Sequence, residues 1–395
     1  MLHVLEALEG GTARHLVDVV RWTERVEHHV ALPTRRVGGL TDECAAPALR
    51  ALGATVHPLA MTRTPATGAN GRALLELGRL VVRVRPDVVH GHSSIGGLVA
   101  RVAGTAMRRR TVYTPNGITD VRAGVLVERA LGPFTDRFVA VSPSEAARAR
   151  SLRLVRPARL RVVPNGIDPD PRGPPIDLRE VLGVPAGSPL VGTVSRLVPQ
   201  KDPLTWVAMA AHVVAAQPDT RFVIIGDGAL RPEVTAALAA AGLGGVIHLV
   251  PHLPDAVRAL GSLDAFVLSS VFEGAPYAPM EAMLAGTPVV LTDVAGSTDL
   301  VTDDVDGRLV PPRDPTALAG AVVELLRRPE EATRLGAEGR RTVVDRFSGP
   351  AMGRGMEAVY RELLDGSDGG STPSRPRRRR RKRPDRRAGA ASPPS

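Results

Sequence analysis

The chain has 395 residues, of which 43% are hydrophobic and 23% are charged. This length and composition suit two globular domains with ordinary hydrophobic cores. Aromatic residues make up only 3% of the chain, which argues against a nucleic-acid-binding surface built on base stacking. The single cysteine excludes an intramolecular disulfide framework and a cysteine-based zinc site, and it favours a reducing, cytoplasmic location.

The formal net charge of +10 is unevenly distributed along the chain. Residues 1–170 have 24 arginines and 15 acidic residues, whereas residues 171–370 have 17 basic and 25 acidic residues. Residues 371–395 add 10 basic residues and one acidic residue. The basic first half could face an anionic substrate or membrane, although a simple difference in solvated surface explains the same pattern.

In chain order, seven short runs rich in β-branched residues fall within residues 2–163, and they alternate with amphipathic stretches such as 71–85 and 144–154. The alternation predicts successive βαβ units, and therefore a parallel sheet covered by helices on both faces. Residues 164–189 are rich in Pro, Gly and Asp, which indicates a linker.

A second series of six strand candidates, among them residues 221–225 and 265–269, lies between residues 190 and 310, and helical patterns continue to about residue 364. From residue 366 onward the composition is dominated by Gly, Ser, Pro and Arg, which predicts disorder because it cannot bury a core. We therefore predict two doubly wound α/β domains with the ligand site in the cleft between them. The predicted segments are a first domain (1–168), a linker (169–188), a second domain (189–347), a C-terminal helix able to cross back to the first domain (348–365) and an arginine-rich tail (366–395).

The strongest motif is Glu273-Gly-Ala-Pro-Tyr-Ala-Pro-Met-Glu281, which follows a predicted strand. Gly274, Pro276 and Pro279 forbid a continuous helix between the two glutamates, so we expect a loop at Glu273 and a helix that begins near Pro279. The first-turn amides of such a helix bind anions, and carboxylates beside them can accept hydrogen bonds from sugar or ribose hydroxyls. The favourable interaction of an acid with the helix dipole would explain Glu281 equally well.

The second motif, GTVSRLVPQKD, places Arg196 and Lys201 after the first predicted strand of the second domain. Two cations at the end of a strand suit a diphosphate. The chain has 49 arginines but only two lysines, Lys201 and Lys382. Where arginine is the default basic residue, a lysine in a motif indicates that a compact ammonium group is needed there.

Three further segments follow predicted strands. The adjacent glycines Gly10 and Gly11 allow close approach of the backbone to a ligand. His90 and His92 share one face of a strand, but no nearby carboxylate or cysteine completes a ligand set, so no metal site is expected. Asn116 belongs to an Asn-Gly turn, which alone says little about function.

Together, these segments resemble those of the family 4 glycosyltransferases. The resemblance rests on EGGTARH, VVHGHSS, VYTPNG, VVPNGID, GTVSRLVPQKD, IIGDGALRPE and EGAPYAPMEAMLAGTPVV, in the family's order over about residues 1–365. It implies the GT-B fold, in which two Rossmann-like domains face each other across a cleft. It also implies retaining transfer of a sugar from a nucleotide-sugar donor, here expected to be a UDP-sugar, to a hydroxyl acceptor in the assembly of exopolysaccharides or glycolipids.

The resemblance also implies roles for individual residues. Arg196 and Lys201 would bind the donor diphosphate, and Glu281 would bind the ribose hydroxyls. Glu273 would lie beside the donor sugar, so the expected catalytic residues are Glu273, Arg196 and Lys201. Further donor contacts are expected from Gly10, Gly11, Gly274, Ala275, Pro276 and Tyr277. No cofactor or divalent metal is expected, because cationic side chains and a helix N-terminus take over the role of a metal ion.

On the acceptor side, the candidates are His92 and Asn116. Many members of the family carry a histidine at the position of Asn116, and an asparagine can form hydrogen bonds but cannot carry a proton. The loop at residues 251–255 also differs from the glycine-containing turn that is common in the family. Because that loop can contact the base, the identity of the nucleotide stays open at this point.

The arginine-rich tail is either a solvated extension or a segment that attaches to an anionic membrane surface, which would suit a lipid-linked acceptor. Nucleic acid is not an expected partner, because the rest of the chain has no element that would read it. The expected location is cytoplasmic, at the inner face of the cell membrane if the tail binds there. Two other functions remain open: a nucleotide-sugar epimerase of the same fold, and a catalytically silent scaffold that binds sugar nucleotides.

Overall fold

The computed structural model of the chain has two lobes, each built on one parallel β-sheet. The described residues are 1–6, 10–33, 45–62, 68–118, 121–171 and 173–365. The predicted arginine-rich tail, residues 366–395, lies outside them. Along the described part of the chain, no helix is both long enough and apolar enough to cross a bilayer.

Seven strands form the sheet of the first lobe. They are β1 (Leu2–Leu5), β2 (His29–Leu32), β3 (Thr55–Pro58), β4 (Val88–His92), β5 (Arg110–Thr114), β6 (Arg137–Ala140) and β7 (Leu160–Val162). Their order is β3-β2-β1-β4-β5-β6-β7, and all neighbouring strands are parallel. The strand order reverses between β1 and β4, which makes the carboxyl ends of these strands the expected ligand-binding edge.

Six strands form the sheet of the second lobe. They are β8 (Leu190–Val194), β9 (Arg221–Ile225), β10 (Ile247–Val250), β11 (Ala265–Leu268), β12 (Val289–Thr292) and β13 (Arg308–Val310). Their order is β10-β9-β8-β11-β12-β13, again with parallel neighbours. The prediction of two doubly wound parallel sheets is confirmed.

Helices cover both sheets. In the first lobe they are α1 (Gly11–Trp22), α2 (Ala45–Ala51), α3 (Gly68–Val84), α4 (Ser94–Ala106), α5 (Arg122–Leu131) and α6 (Pro143–Ser151). The later helices are α7 (Leu178–Leu182), α8 (Pro203–Ala216), α9 (Arg231–Ala240), α10 (Tyr277–Leu284), α11 (Ser297–Leu300), α12 (Pro315–Arg327), α13 (Pro329–Arg346) and α14 (Gly349–Leu364). Every residue of the central strands β4 and β11 is buried, as expected for parallel strands with helices on both faces.

The last helix, α14, packs on the first lobe although it follows the second lobe in the chain. Its residues Met352, Met356 and Val359 share one hydrophobic cluster with Val88 of β4 and Val112 of β5. The backbone at residues 167 and 348–349 is also joined by a short parallel bridge. The chain therefore crosses twice between the lobes, which constrains how far they can move apart.

Residues 169–188, which composition marks as a linker, include an ordered element. They contain α7, and Leu178 and Val184 are buried in a core cluster of the second lobe with Leu190 and Phe266. The proline and glycine content signals a break in the sheet pattern, but it does not reveal apolar residues that anchor the connection.

The helix expected to begin near Pro279 begins two residues earlier, at Tyr277, with Pro276 in the capping position. Pro279 is the third residue of this helix, within the first turn. Because backbone N–H groups in the first turn have no partner within the helix, a proline there removes no hydrogen bond. Pro276 and Pro279 therefore indicate that a helix begins in this region, but they do not identify its first residue.

Candidate active site

A cavity of about 600 Å³ lies between the two lobes, where the carboxyl ends of both sheets face each other. Residues that directly follow β6, β8, β9 and β10 contribute to its wall. The structure brings together in this wall all but one of the predicted site residues: Gly10, Gly11, Asn116, Arg196, Lys201, Glu273, Gly274, Ala275, Pro276, Tyr277 and Glu281.

Lys201 and Glu273 form an ion pair at the second-lobe side of the cavity. Lys201 Nζ lies 2.5 Å from Glu273 Oε1, and the hydroxyl of Ser270 donates to the same oxygen at 2.5 Å. The Glu273 side chain is only 5% exposed. The pair fixes the carboxylate in place, while the ammonium group, which has three donors, keeps N–H groups available to an anion in the cavity.

Arg196 is exposed at the cavity wall and forms no ion pair with any described residue. The loop that carries it is held by backbone hydrogen bonds from Leu197 to Asp227 (3.0 Å) and from Leu230 to Leu197 (2.9 Å). A Cβ atom on Gly228 would lie 2.3 Å from the Leu197 oxygen, so this close approach requires glycine. The rigid loop presents a guanidinium group that is free to bind phosphate.

The first turn of α10 faces the same cavity. Ala275, Pro276 and Tyr277 line the wall at the point where the helix begins. The N–H groups of this turn lack helical partners and lie at the positive end of the helix dipole. Together with Arg196 and Lys201, they form a binding site for a negatively charged group such as a diphosphate.

Glu281 is paired with a residue that the sequence analysis did not single out, Arg14 of α1. Arg14 NH1 lies 3.1 Å from Glu281 Oε1, and Arg14 Nε lies 2.9 Å from Asp18 Oδ2. Burial raises the pKa of Glu281 above its usual range, and the neighbouring Arg14 opposes that rise. Arg14 also lies over the Tyr277 ring, 5.3 Å from its centroid.

The only sequence signal for Arg14 is its place in the first turn of α1, three residues after Gly11. Its partner is 267 residues away in the other lobe, so the pair emerges only when the lobes are assembled. Arg14 is the cavity residue that connects a first-lobe helix to the predicted ribose-binding glutamate.

Two further hydrogen bonds join the lobes beside the cavity. The Asn165 amide donates to the backbone oxygen of Ala275 at 3.2 Å, and the Ser144 N–H donates to Asp299 Oδ2 at 2.9 Å. Asn165 follows β7, and Ala275 lies in the loop before α10. The loop predicted to hold the donor is thus tied to the first lobe through Asn165.

Asn116 lines the cavity, and its side-chain amide group is a hydrogen-bond donor without a partner. Its backbone has a φ of 54°, and its buried side-chain nitrogen has no hydrogen-bond partner. The adjacent Gly117 N–H donates to Glu145 Oε1 at 2.6 Å, and burial raises the pKa of Glu145 to about 7. An unsatisfied amide donor at a cavity wall is suited to a ligand hydroxyl or carbonyl oxygen.

His92, the other predicted acceptor-side residue, does not line this cavity. His92 is fully buried, and its Nε2 lies 3.1 Å from Nδ1 of His3. The other ring nitrogen of His3, Nε2, lies 3.0 Å from Nδ1 of His28. On the opposite side, His15 packs against the His92 ring and bonds to Asn165. The geometry therefore gives no support to an acceptor-side role for His92, because its neighbours are core histidines.

His3, His90 and His92 form a buried group in which one nitrogen of each ring lies within 4.8 Å of the others. The register of β1 against β4 places His3 beside His90. However, both His90 nitrogens already bond to the hydroxyls of Tyr360 and Thr114, at 2.9 Å each. The His90 and His92 rings are in contact, with centroids 3.9 Å apart and their planes tilted by 33°.

A metal ion needs ligand lone pairs that converge on one point. Because hydrogen bonds engage both nitrogens of His3 and both nitrogens of His90, the residues of this group do not present free lone pairs that converge on one point. They fit a hydrogen-bonded core in which the rings are uncharged, since burial lowers the pKa of all three histidines well below the usual value.

Two family models match the chain and together cover both lobes. The model described as "Glycosyltransferase Family 4" matches residues 9–171, and the model described as "Glycosyl transferases group 1" matches residues 176–342. The boundary between the two matches falls in the connection between the sheets.

Two curated relatives have the same sequence identity to the chain, 30%. The UDP-Gal:alpha-D-GlcNAc-diphosphoundecaprenol alpha-1,3-galactosyltransferase of Escherichia coli is 30% identical over 273 residues, which are 64% of this chain and 70% of that protein. The D-inositol 3-phosphate glycosyltransferase of Thermobispora bispora is 30% identical over 310 residues, which are 71% of this chain and 72% of that protein.

Solved structures support the same fold at lower identity. HepE of Anabaena, crystallised with UDP and glucose, has a TM-score of 0.80 and 20% identity, with 91% of this chain and 99% of that chain covered. Sucrose-phosphate synthase of Thermosynechococcus elongatus has a TM-score of 0.73 and 22% identity, with 86% and 89% covered. With its two lobes, its cleft and these matches, the chain belongs to the family 4 glycosyltransferases and has the GT-B fold.

Proposed function

We propose that the protein is a retaining glycosyltransferase that transfers a sugar from a UDP-sugar to a hydroxyl acceptor without a divalent metal. The observation that carries the proposal is the convergence of Arg196, Lys201 and the first turn of α10 on one cavity, with Glu273 and Glu281 beside them. Cations and helix amides suit a diphosphate, and carboxylates suit hydroxyl groups of a sugar and a ribose.

The choice of UDP rests on two lines of support. The E. coli relative is described as using UDP-Gal, and HepE structures contain UDP, UDP with glucose, or UDP-glucose. In this chain the loop at residues 251–253 lines the cavity next to Gly226. We infer that this loop contacts the uracil ring.

In the proposed reaction, the bond between C1 of the sugar and the diphosphate oxygen breaks as C1 bonds to the acceptor oxygen on the same face. The acceptor hydroxyl gives its proton to an oxygen of the departing diphosphate. Arg196 and Lys201 stabilise the negative charge that grows on that leaving group, which replaces the function of a metal ion. Glu273 keeps Lys201 in position and lies beside the reacting centre.

We further propose that Asn116 binds the acceptor or the donor sugar through its free amide group. It can orient a hydroxyl but cannot remove a proton, which is consistent with proton transfer to the diphosphate. The E. coli relative's name contains a diphosphoundecaprenol acceptor, so we propose a lipid-linked acceptor and a reaction at the inner face of the cell membrane, in polysaccharide or glycolipid assembly.

Substitution of the cavity residues provides the main test. Lys201→Ala and Glu281→Ala are each expected to abolish detectable sugar transfer, because the first removes a donor to the leaving group, worth about 10²–10³ in rate, and the second removes the ribose contact. Lys201→Arg should also lose most activity, since a guanidinium cannot replace a compact ammonium group between Glu273 and a phosphate. The measurement is transfer from UDP-sugars to a lipid-linked or simple glycoside acceptor, with chelator present.

Arg328→Ala is the matched control, because Arg328 is an exposed cation of the second lobe outside the cavity and pairs with Glu324. It should transfer sugar at the rate of the unsubstituted protein. Full activity of Lys201→Ala and Glu281→Ala would refute the site, and inversion at the anomeric carbon, read by NMR of the product, would refute retention. Release of an epimerised donor without transfer would favour an epimerase, and nucleotide binding without turnover would favour a silent scaffold.

A further inference from the structure

A second cavity, of about 400 Å³, lies on the first lobe at the opposite edge of its sheet. It is bordered by the turns that precede β6 and β7, at residues 132–134 and 157–159. The proposed donor cavity lies at the carboxyl ends of the strands, so this pocket is a separate site.

Five arginines line this pocket, and none of its lining residues is acidic. We call it the arginine pocket; its arginines are Arg129, Arg150, Arg153, Arg156 and Arg159. The buried side chains of Leu154 and Val155 form an apolar floor.

Two of these arginines are held in place by backbone oxygens. Arg129 Nε donates to the Leu152 oxygen at 2.7 Å, and Arg159 NH1 donates to the Thr135 oxygen at 2.9 Å. The other three, Arg150, Arg153 and Arg156, are exposed, and among the described residues their guanidinium groups form no hydrogen bond or ion pair. The pocket thus contains two guanidinium groups held by backbone oxygens and three that can reorient. No acidic residue in its lining neutralises their charge.

The acidic residues of the surrounding segment are all engaged elsewhere. Residues 121–162 contain nine arginines but only three acidic residues. Glu128 pairs with the buried Arg101, Glu145 accepts from the Gly117 and Val141 amides, and Asp136 accepts from the Thr111 amide. The positive charge of the pocket is therefore left uncompensated, and like charges held close together repel one another.

We propose that the arginine pocket binds a phosphoryl group that carries at least two negative charges, from a soluble diphosphate or from a lipid headgroup. Guanidinium groups bind phosphate oxygens in pairs. A concave pocket with an apolar floor suits a compact phosphorylated group better than a flat polyanion. This site is independent of the proposed transfer reaction, because it shares no residue with the donor cavity.

Inorganic pyrophosphate is the first probe, and its binding to the full chain is measured by isothermal titration calorimetry. The pocket variant R150Q/R153Q/R156Q should bind at least about tenfold more weakly at the low-salt condition in which the unsubstituted protein binds. The control variant R72Q/R83Q/R122Q removes the same charge from exposed arginines of α3 and α5 that do not line the pocket. It should bind pyrophosphate as the unsubstituted protein does.

Pyrophosphate can also enter the donor cavity, and the tail is present in every variant, so only the difference between the two triple variants reports on the arginine pocket. The pocket variant should melt no lower than the control variant, because it relieves repulsion between exposed arginines. Equal pyrophosphate affinity in the two variants, or no binding by the unsubstituted protein, would overturn the proposal.

Vesicles distinguish the two sources of the phosphoryl group. If the group belongs to a lipid, the control variant should co-sediment with phosphatidylcholine vesicles that contain phosphatidic acid, and the pocket variant should co-sediment markedly less. If it belongs to a soluble compound, both variants should co-sediment equally while only the pocket variant loses pyrophosphate. Equal behaviour of both variants towards vesicles and pyrophosphate would refute the pocket as an anion site.

Discussion

Two ion pairs dominate the electrostatics of the cleft, and they differ in what they connect. Lys201 and Glu273 belong to the same lobe, whereas Arg14 and Glu281 join the two lobes. Within each pair, a cation lies beside a buried carboxylate, because an isolated buried charge would be strongly unfavourable. In the second pair, Arg14 bonds to Oε1 of Glu281, and among the described residues Oε2 has no hydrogen-bond partner, so it is available to the proposed ribose hydroxyl.

We predict that Arg14→Gln weakens UDP binding and changes its pH dependence. Burial raises the pKa of Glu281, and Arg14 opposes this rise. Without Arg14, Glu281 will bind a proton at a higher pH, and a protonated carboxyl accepts hydrogen bonds from a ribose more weakly than a carboxylate does. The loss of affinity, about tenfold for one charge-assisted contact, should therefore be largest below neutral pH and smaller at alkaline pH.

UDP titrations between mildly acidic and alkaline pH will measure this effect. Arg21→Gln is the control, because Arg21 lies on the same helix but pairs with Asp168 outside the donor cavity. Its affinity profile should match that of the unsubstituted protein. Tighter UDP binding by Arg14→Gln would contradict the prediction, since it would mean that Arg14 competes with the nucleotide for Glu281.

At this scale, the sequence identifies residues that share a motif but not residues that meet across the cleft. Arg196, Lys201, Glu273 and Glu281 were recognisable because residues after parallel strands converge on one edge of a sheet. Arg14 was not recognisable, because its partner lies in the other lobe. The acceptor-side role of His92 stays a prediction: strand periodicity places His92 on the same face as His90, but it does not show that other histidines pack against that face.

At the scale of elements, the strands were predictable because runs of β-branched residues are buried on both faces. The runs at residues 221–225 and 265–269 coincide with β9 and β11 within one residue. The predicted start of α10, near Pro279, lies two residues after the observed start at Tyr277. Proline is compatible with several positions at the beginning of a helix, so the prolines alone do not identify the first helical residue. The packing of α14 depends instead on close backbone contact, which glycine spacing alone does not reveal.

Gly353 illustrates that contact and leads to a prediction about stability. A Cβ atom on Gly353 of α14 would lie 1.9 Å from the backbone oxygen of Trp22 at the end of α1. Because backbone rather than a flexible side chain must move, Gly353→Ala should lower the free energy of unfolding by about 1–3 kcal/mol. Urea unfolding followed by circular dichroism will measure the change.

The same substitution at Gly320 is the control. Gly320 lies exposed in the middle of α12, and no atom lies within 4 Å of the position a Cβ atom would take. Alanine there should raise the free energy of unfolding by about 0.5–1 kcal/mol, because glycine is a poor helix former. If both variants were stabilised, α14 would not be packed on α1 as closely as the structure indicates.

At the scale of the whole molecule, the two lobes differ in charge and in buried polar groups. The first lobe holds a group of buried histidines, His3, His15, His28, His90 and His92. The histidines of the second lobe, His212, His248 and His252, are absent from the buried set. The sequence revealed the charge difference but not this group, which needs the register of β1 against β4 and the packing of α1 and α14.

We predict that acid destabilises the first lobe before the second. Burial lowers the pKa of all five histidines, that of His15 to about 4. Below about pH 6.5 the unfolded chain binds protons that the folded lobe excludes, so stability falls as pH falls. Three carboxyls act in the opposite direction, because burial raises the pKa of Asp18 and Glu281, and that of Glu145 to about 7.

The five histidines outnumber these carboxyls, one of which, Glu281, belongs to the second lobe. Unfolding of the first lobe therefore takes up protons below about pH 6.5, and the stability of that lobe falls as pH falls. The two tryptophans report on the lobes separately, since Trp22 lies in α1 and Trp206 in α8. Single-tryptophan variants W206F and W22F should therefore be unfolded in urea between pH 7 and pH 5. The midpoint of the Trp22 signal should fall steeply while that of the Trp206 signal changes little; an equal fall in both would mean that the buried histidines do not control acid stability.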